Sequence, residues 1–84
     1  MTQSANLIGA RVRKARLSKT PKITQLKLAT LLQLEGIDVD QAQISKLENG
    51  TRPVRDIELV MLAKILGVSA SWLLNETDSP KRLN

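Results

Sequence analysis

Residues 40–52, DQAQISKLENGTR, constrain the fold more tightly than any other stretch of the chain. They describe a short helix with its start, its inner face and its stop. Asp40 can accept from the unbonded first amides of a helix, and Gln43, three residues on, can return the bond as a capping box. Ile44 and Leu47 are three apart, so they share a face and suit a core. Asn49-Gly50 ends the helix, because Gly50 takes the left-handed position just past it without steric cost. Gln41, Ala42, Gln43 and Lys46 are left for the outer side. Two amides and an amine on a rigid rod can hydrogen-bond base edges. The alternative for the same residues is a solvated helix face.

The rest of the chain has the same period. Ile8, Val12 and Ala15 recur at i, i+4 and i+7 and predict a first helix over about residues 7–18, with Ser4 or Asn6 as cap. Arg11, Arg13 and Lys14 fall off that stripe, while Arg16 lies beside it and can reach inward. Pro21 breaks the following loop. Thr24 caps a second helix whose inner face is Leu28, Ala29, Leu31 and Leu32, and Gly36 ends it. Ile37 and Val39 read as pins that hold the connection to Asp40 on the core. A fourth helix over about residues 56–66 is the most apolar, with Ile57, Leu59, Val60, Leu62, Ala63 and Leu66. It is expected at the centre, and Gly67 stops it. Ser69 caps a short fifth helix through Trp72, Leu73 and Leu74. No strand alternation occurs. The expected fold is therefore all-α, a compact five-helix bundle, with one domain over residues 1–75 and a polar, flexible tail over 76–84.

Charge and composition narrow the function. The net charge is +5, but seven bases precede the first acid, Glu35, so residues 1–34 carry +7 and residues 35–84 carry −2. Such asymmetry points to a basic surface for a polyanion. A membrane-surface helix fits less well, since the basic segment lacks a broad apolar face and an aromatic anchor. The chain contains no Cys and no His. That removes disulfides, zinc-finger ligation, thiol nucleophiles and the commonest general base. With no glycine-rich phosphate loop and no metal-ligand cluster, neither enzyme chemistry nor a cofactor or metal is expected. No run approaches the ~20 apolar residues that span a bilayer. The first residues, MTQSANLIGA, do not read as a signal peptide. A cytoplasmic protein, nucleoid-associated when bound, is the simplest expectation.

Taken in order, these pieces resemble a known family. They are Ile8-Gly9 with Arg11, Arg13 and Arg16; Thr24-Gln25 with Leu28-Ala29; Ile44-Ser45-Lys46-Leu47-Glu48-Asn49-Gly50; Leu62-Ala63-Lys64 and Leu66-Gly67-Val68-Ser69; and Trp72-Leu73-Leu74. Over about residues 7–75 the chain is similar to the DNA-binding domain of phage repressors and Cro proteins, the XRE-type helix-turn-helix regulators. The resemblance implies a role for each matching residue. Gln25 would bond a DNA phosphate from the amino end of the second helix, itself a natural anion site. Gln41, Ala42 and Lys46 would reach base edges: Gln41 at adenine N6 and N7, Ala42 at a thymine methyl, Lys46 at guanine O6 and N7. Gln43 would reach a base or a phosphate. Asn49, Thr51 and Arg52 would grip the backbone beyond the helix, and Arg11 would add a phosphate contact. Arg16 and Glu48 would form a partly buried structural ion pair.

The chain departs from the family pattern in several places. The loop before the second helix, around Pro21, is slightly long. Glu35, Asp38 and Asp40 flank the third helix with charges that repel phosphates. Ala29 and Ile44 are 15 residues apart, so the turn of the helix-turn-helix is lengthened. At the start of the fourth helix Pro53 comes one place early, and Arg55 stands where a capping residue is usual. Two functions follow from the resemblance. One is a sequence-specific regulator of transcription, a repressor acting as a homodimer on double-stranded DNA. The other is a protein-interaction module, such as an antitoxin or adaptor, with Trp72, Leu73, Leu74 and the tail as its contact surface.

Overall fold

Side-chain caps place the helix starts. A computed structural model describes residues 4–81; residues 1–3 and 82–84, the outer ends of the expected domain and tail, lie outside the described residues. The first helix, α1 (Gly9–Ser18), starts later than the apolar stripe suggests. Asn6 caps it from outside, its Oδ1 accepting from the Ile8 and Gly9 amides at 3.0 and 2.8 Å. In α2 (Gln25–Leu34) Thr24 Oγ1 accepts from the Lys27 amide at 3.0 Å. In α3 (Gln41–Glu48) the capping box is complete: Asp40 Oδ1 accepts from Gln43 N–H at 2.9 Å, and Gln43 Oε1 accepts from Asp40 N–H at 3.0 Å. α4 (Asp56–Leu66) has Arg55 at its cap without a capping side-chain bond. The Glu58 carboxylate accepts from the Arg55 amide instead, at 3.1 Å. Ser69 Oγ accepts from Trp72 N–H at 3.0 Å and opens α5 (Ala70–Leu73). Every regular element among the described residues is a helix.

The core is one cluster fed by all five helices. α1 packs on α3, α4 and α5, α2 on α3 and α4, and α4 on α5. Val12, Leu28, Leu62, Leu66 and Leu73 have no exposed surface. Each leucine there contributes about 1.5–3 kcal/mol relative to an exposed position. Gly9 is what lets α1 cross α3 closely. A Cβ at that position would press into the Leu47 carbonyl oxygen and lie 2.9 Å from the Glu48 carbonyl oxygen.

The lengthened turn is pinned down. Gly36, at φ 83°, reverses the chain after α2, and the Ile37 amide donates back to the Leu32 carbonyl at 3.0 Å. Ile37 and Val39 are buried, and Gln33 Nε2 donates to the Val39 carbonyl at 2.7 Å. The extra residues thus enter the core cluster rather than forming a loose loop.

One expectation changes. Ile57 and Val60 are 48% and 56% exposed, so α4 does not bury its whole apolar circumference. Its inner face is Glu58, Leu62, Ala63 and Leu66, and the carboxylate of Glu58 takes a core position because an arginine neutralises it there. At the carboxyl end, Pro80 accepts at its carbonyl from the Ser69 amide at 3.0 Å, and Arg11 Nη1 donates to the Thr77 carbonyl at 2.7 Å. The described part of the tail lies back on the bundle. Among the described residues no helix is long and apolar enough to cross a membrane.

Candidate nucleic-acid interface

The Glu48 carboxylate joins the three helices that matter for the site. Arg16 on α1 forks onto it, Nε to Oε2 at 2.7 Å and Nη2 to Oε1 at 2.9 Å. Gln25, the first residue of α2, donates from Nε2 to the same Oε1 at 3.1 Å. Arg16 also donates to the Ile23 carbonyl at 2.9 Å, just before α2. Arg16 and Glu48 are buried, and no buried side-chain polar atom among the described residues lacks a partner. A buried ion pair of this kind costs desolvation and returns it only through such complete hydrogen bonding. The node fixes the angle between α2 and α3, and it fixes the side chain of Gln25. One Nε2 hydrogen and the Oε1 of Gln25 remain for an outside partner. They sit at the amino end of α2, where the helix carries partial positive charge.

α3 presents two faces. Ile44, Leu47 and Glu48 are buried, and Gln41, Ala42 and Lys46 are exposed. Helical spacing puts residues 41, 42, 45, 46 and 49 on the outer side. Gln41 can both donate and accept. Gln43, by contrast, already uses Oε1 in the capping box. It keeps its two amide hydrogens as donors, but cannot supply the donor–acceptor pair that adenine takes without giving up the cap. Ser45 lies between Gln41 and Ala42 around the helix and is half-buried. Its helical spacing from Gln41 and Ala42 is the signal that places it on the outer face.

Beyond α3 the loop is held from the amino terminus. Asn6 donates from Nδ2 to the Leu47 carbonyl at 3.0 Å and to the Arg52 carbonyl at 2.7 Å. The Ala5 amide donates to the Gly50 carbonyl at 2.7 Å, and Ser4 Oγ donates to it at 3.1 Å. Sequence reading placed Asn6 only as a cap. Its bonds to residues more than 40 positions away carry no local signal. Asn49 and Thr51 are exposed in this loop. Thr51 spends its single hydroxyl proton on the Lys46 carbonyl, at 3.1 Å.

Two of the expected phosphate contacts have other work. Arg11 Nη1 donates to the Trp72 and Thr77 carbonyls at 2.8 and 2.7 Å. Its Nη2 lies 3.5 Å from Asp78, and its guanidinium carbon sits 4.9 Å above the Trp72 ring. Arg11 leaves the core of α1, as its place off the apolar stripe predicts, but what it meets there is the folded-back tail and not open solvent. Arg52 forks onto Glu58 at 2.8 and 2.9 Å. That hydrogen bond raises the Arg52 pKa, although burial opposes it. The same bond is the largest influence holding the Glu58 carboxyl down at about 2; burial acts against it, and the Arg55 amide assists. Glu58, only 2% exposed, read in the sequence merely as a favourable first-turn charge.

Electrostatically, exposed bases gather in the amino-terminal part of the chain, with Lys46, Arg55, Lys64 and Lys81 exposed elsewhere. Arg13, Lys14, Lys22 and Lys27 are exposed and have no ion pair among the described residues. Lys22 and Lys27 flank Gln25. No group of acids among the described residues is placed to hold a metal ion. The arrangement offers a neutral-to-cationic face of donors, with acceptor oxygens on the Gln25, Gln41 and Asn49 amides, suited to a polyanion with readable edges.

Comparison with known proteins agrees. A family model described as helix-turn-helix matches residues 12–73, which takes in α2, the pinned turn and α3. No curated protein and no solved structure matches the chain. The chain belongs to the XRE-type helix-turn-helix family of DNA-binding regulators.

Proposed function

We propose that the protein is a sequence-specific transcriptional repressor that lays α3 in the major groove of double-stranded DNA and acts as a homodimer. The observation that carries this reading is the two-faced α3, locked by its capping box and by the Glu48 node, with Gln41, Ala42 and Lys46 exposed. Lys46 bonds guanine O6 and N7, Gln41 pairs with adenine N6 and N7, and Ala42 meets a thymine methyl. Gln43 donates to a base acceptor or a phosphate while its cap is kept. Gln25, Asn49 and Thr51 contact phosphates, Thr51 after its hydroxyl turns away from Lys46. Lys22 and Lys27 take the phosphate role that Arg11 and Arg52 do not fill, since both are exposed beside Gln25. Repression follows when the bound dimer occludes a promoter.

The dimer is supported by apolar surface that the bundle leaves open. Leu7 is 71% exposed, and with Leu59 and Leu74 it lines a shallow cavity of about 210 Å³ on the α4 side. Ile57 and Val60 are exposed on the same helix. The competing reading, a protein-interaction module using Trp72, Leu73, Leu74 and the tail, keeps only Leu74 and the tail at the surface. Trp72 and Leu73 are 6% and 0% exposed and belong to the core. Selecting bound duplexes from a random DNA pool tests the proposal. A palindromic consensus with two half-sites about one helical turn apart is expected. A pool that stays random after repeated rounds defeats it.

A further inference from the structure

The folded-back tail does more than cover α1. It forms one wall of a cavity of about 410 Å³ at the carboxyl ends of α1 and α4. Ala15, Val68 and Trp72, all buried, line it on the bundle side. Pro80 lines it on the tail side, held by its carbonyl on the Ser69 amide. The wall is fastened a second time by Arg11, which bonds the Trp72 and Thr77 carbonyls and stacks on one face of the Trp72 ring. Three lysines, Lys14, Lys19 and Lys81, stand around this apolar lining. None of them has an ion pair among the described residues. The volume falls within the ~300–1,000 Å³ of small-molecule pockets, which are typically apolar with a few polar groups that fix orientation.

We propose that this cavity binds a small amphipathic anion, a compact apolar body carrying one carboxylate or phosphate. Charge complementarity selects the occupant. An uncharged apolar molecule would leave the three surrounding ammonium groups to water alone, and a bare inorganic anion would make no use of Pro80 and the edges of Val68 and Trp72 that the bundle leaves open. DNA phosphate also suits lysines, but it has nothing to place against an apolar wall. The site is separate from the α3 face and does not depend on the DNA reading.

The protein carries its own reporter. Trp72 lines the cavity and is the only tryptophan in a chain with no tyrosine, so near-ultraviolet emission comes from that one ring. The experiment titrates the full chain with cyclohexanecarboxylate, which does not absorb in that range, and follows Trp72 emission at constant ionic strength. A saturable change is expected. Cyclohexanecarboxamide, with the body but no charge, should bind up to about five-fold more weakly, and acetate, with the charge but almost no body, about ten-fold more weakly. The Lys14→Gln, Lys81→Gln double variant alters only exposed side chains and should keep its helical circular dichroism. Its affinity should fall about five-fold. No saturable change overturns the proposal. So does equal binding of the amide, which would mark a merely apolar groove, or equal binding of acetate, which would mark a merely cationic patch. An unchanged affinity in the folded double variant overturns it as well.

Discussion

Lys46 and Glu58 are both charged side chains on helices, and their surroundings give them opposite work. Lys46 is exposed with no ion pair among the described residues, so its amine is available to a base. Lys46→Ala should lower the preference for one base pair by about 1–3 kcal/mol and leave the melting temperature nearly unchanged. Competition between a selected duplex and single-base variants would measure it. Glu58 is buried against Arg52 with its pKa lowered from 4.5 to about 2. A depressed carboxyl stabilises the fold fully above its unfolded pKa, and that contribution is lost as pH falls through the folded value. Here it is present above about pH 4.5 and gone by about pH 2, and amounts to something on the order of 3 kcal/mol. Urea denaturation should therefore show Glu58→Gln far below the native chain at pH 6, with the gap closing toward pH 2. A gap that is constant with pH would contradict this role. Gly9→Ala places a methyl against backbone carbonyls that cannot swing aside, and about 1–3 kcal/mol of stability should be lost. A thermal melt would record it as a drop of several degrees.

The elements differ in how much of them local sequence could reveal. Caps and stops act over three or four residues, and Thr24, Asp40, Gln43, Ser69 and Gly67 therefore mark the observed ends of α2, α3, α4 and α5. Ile37 and Val39 were readable as pins because two isolated apolar residues in a short connection have little else to do. The surroundings of the charged residues were not readable in the same way. A periodic stripe says that Arg11 leaves the α1 core, but not that residues 72, 77 and 78 meet it outside. The resemblance pointed to an Arg16–Glu48 pair. Gln25 as the third member, and Asn6 as the brace of residues 47–52, depend on contacts between distant segments, which no spacing rule contains. The outer face of α4 failed for a related reason: six apolar residues cannot all face inward, and the choice among them was made by Glu58 with Arg52. If the capping box holds α3 in its pose, Asp40→Ala should cost about 1 kcal/mol of stability. It should also free Gln43 Oε1, so base preference ought to change as well as affinity when both are measured on the same duplex set. A loss of stability with base preference unchanged would remove Gln43 from the reading surface.

For the whole molecule, a radius of gyration of 11.9 Å is that of a packed domain of this length, for which about 12 Å is expected. The described residues, 4–81, pack into one body. Affinity for DNA must come from the surface of the bundle, and its sequence-independent share from the bases of the amino-terminal half. That share scales with the number of phosphates neutralised, so the association constant should fall steeply with salt, on the order of 0.9 in log–log slope per contact. Lys22→Ala and Lys27→Ala should each reduce the slope by about one, whereas Arg11→Ala should leave it nearly unchanged while loosening the tail. Equal slopes for all three variants would reverse that assignment. The central claim, that α3 reads base sequence, is tested most directly by titrating the purified chain at physiological salt against a duplex selected from a random pool and against a scrambled duplex of the same length. The selected duplex should bind at least about 10³-fold more tightly. Equal affinity for the two would show a basic helical bundle that holds DNA without reading it, and would contradict the account.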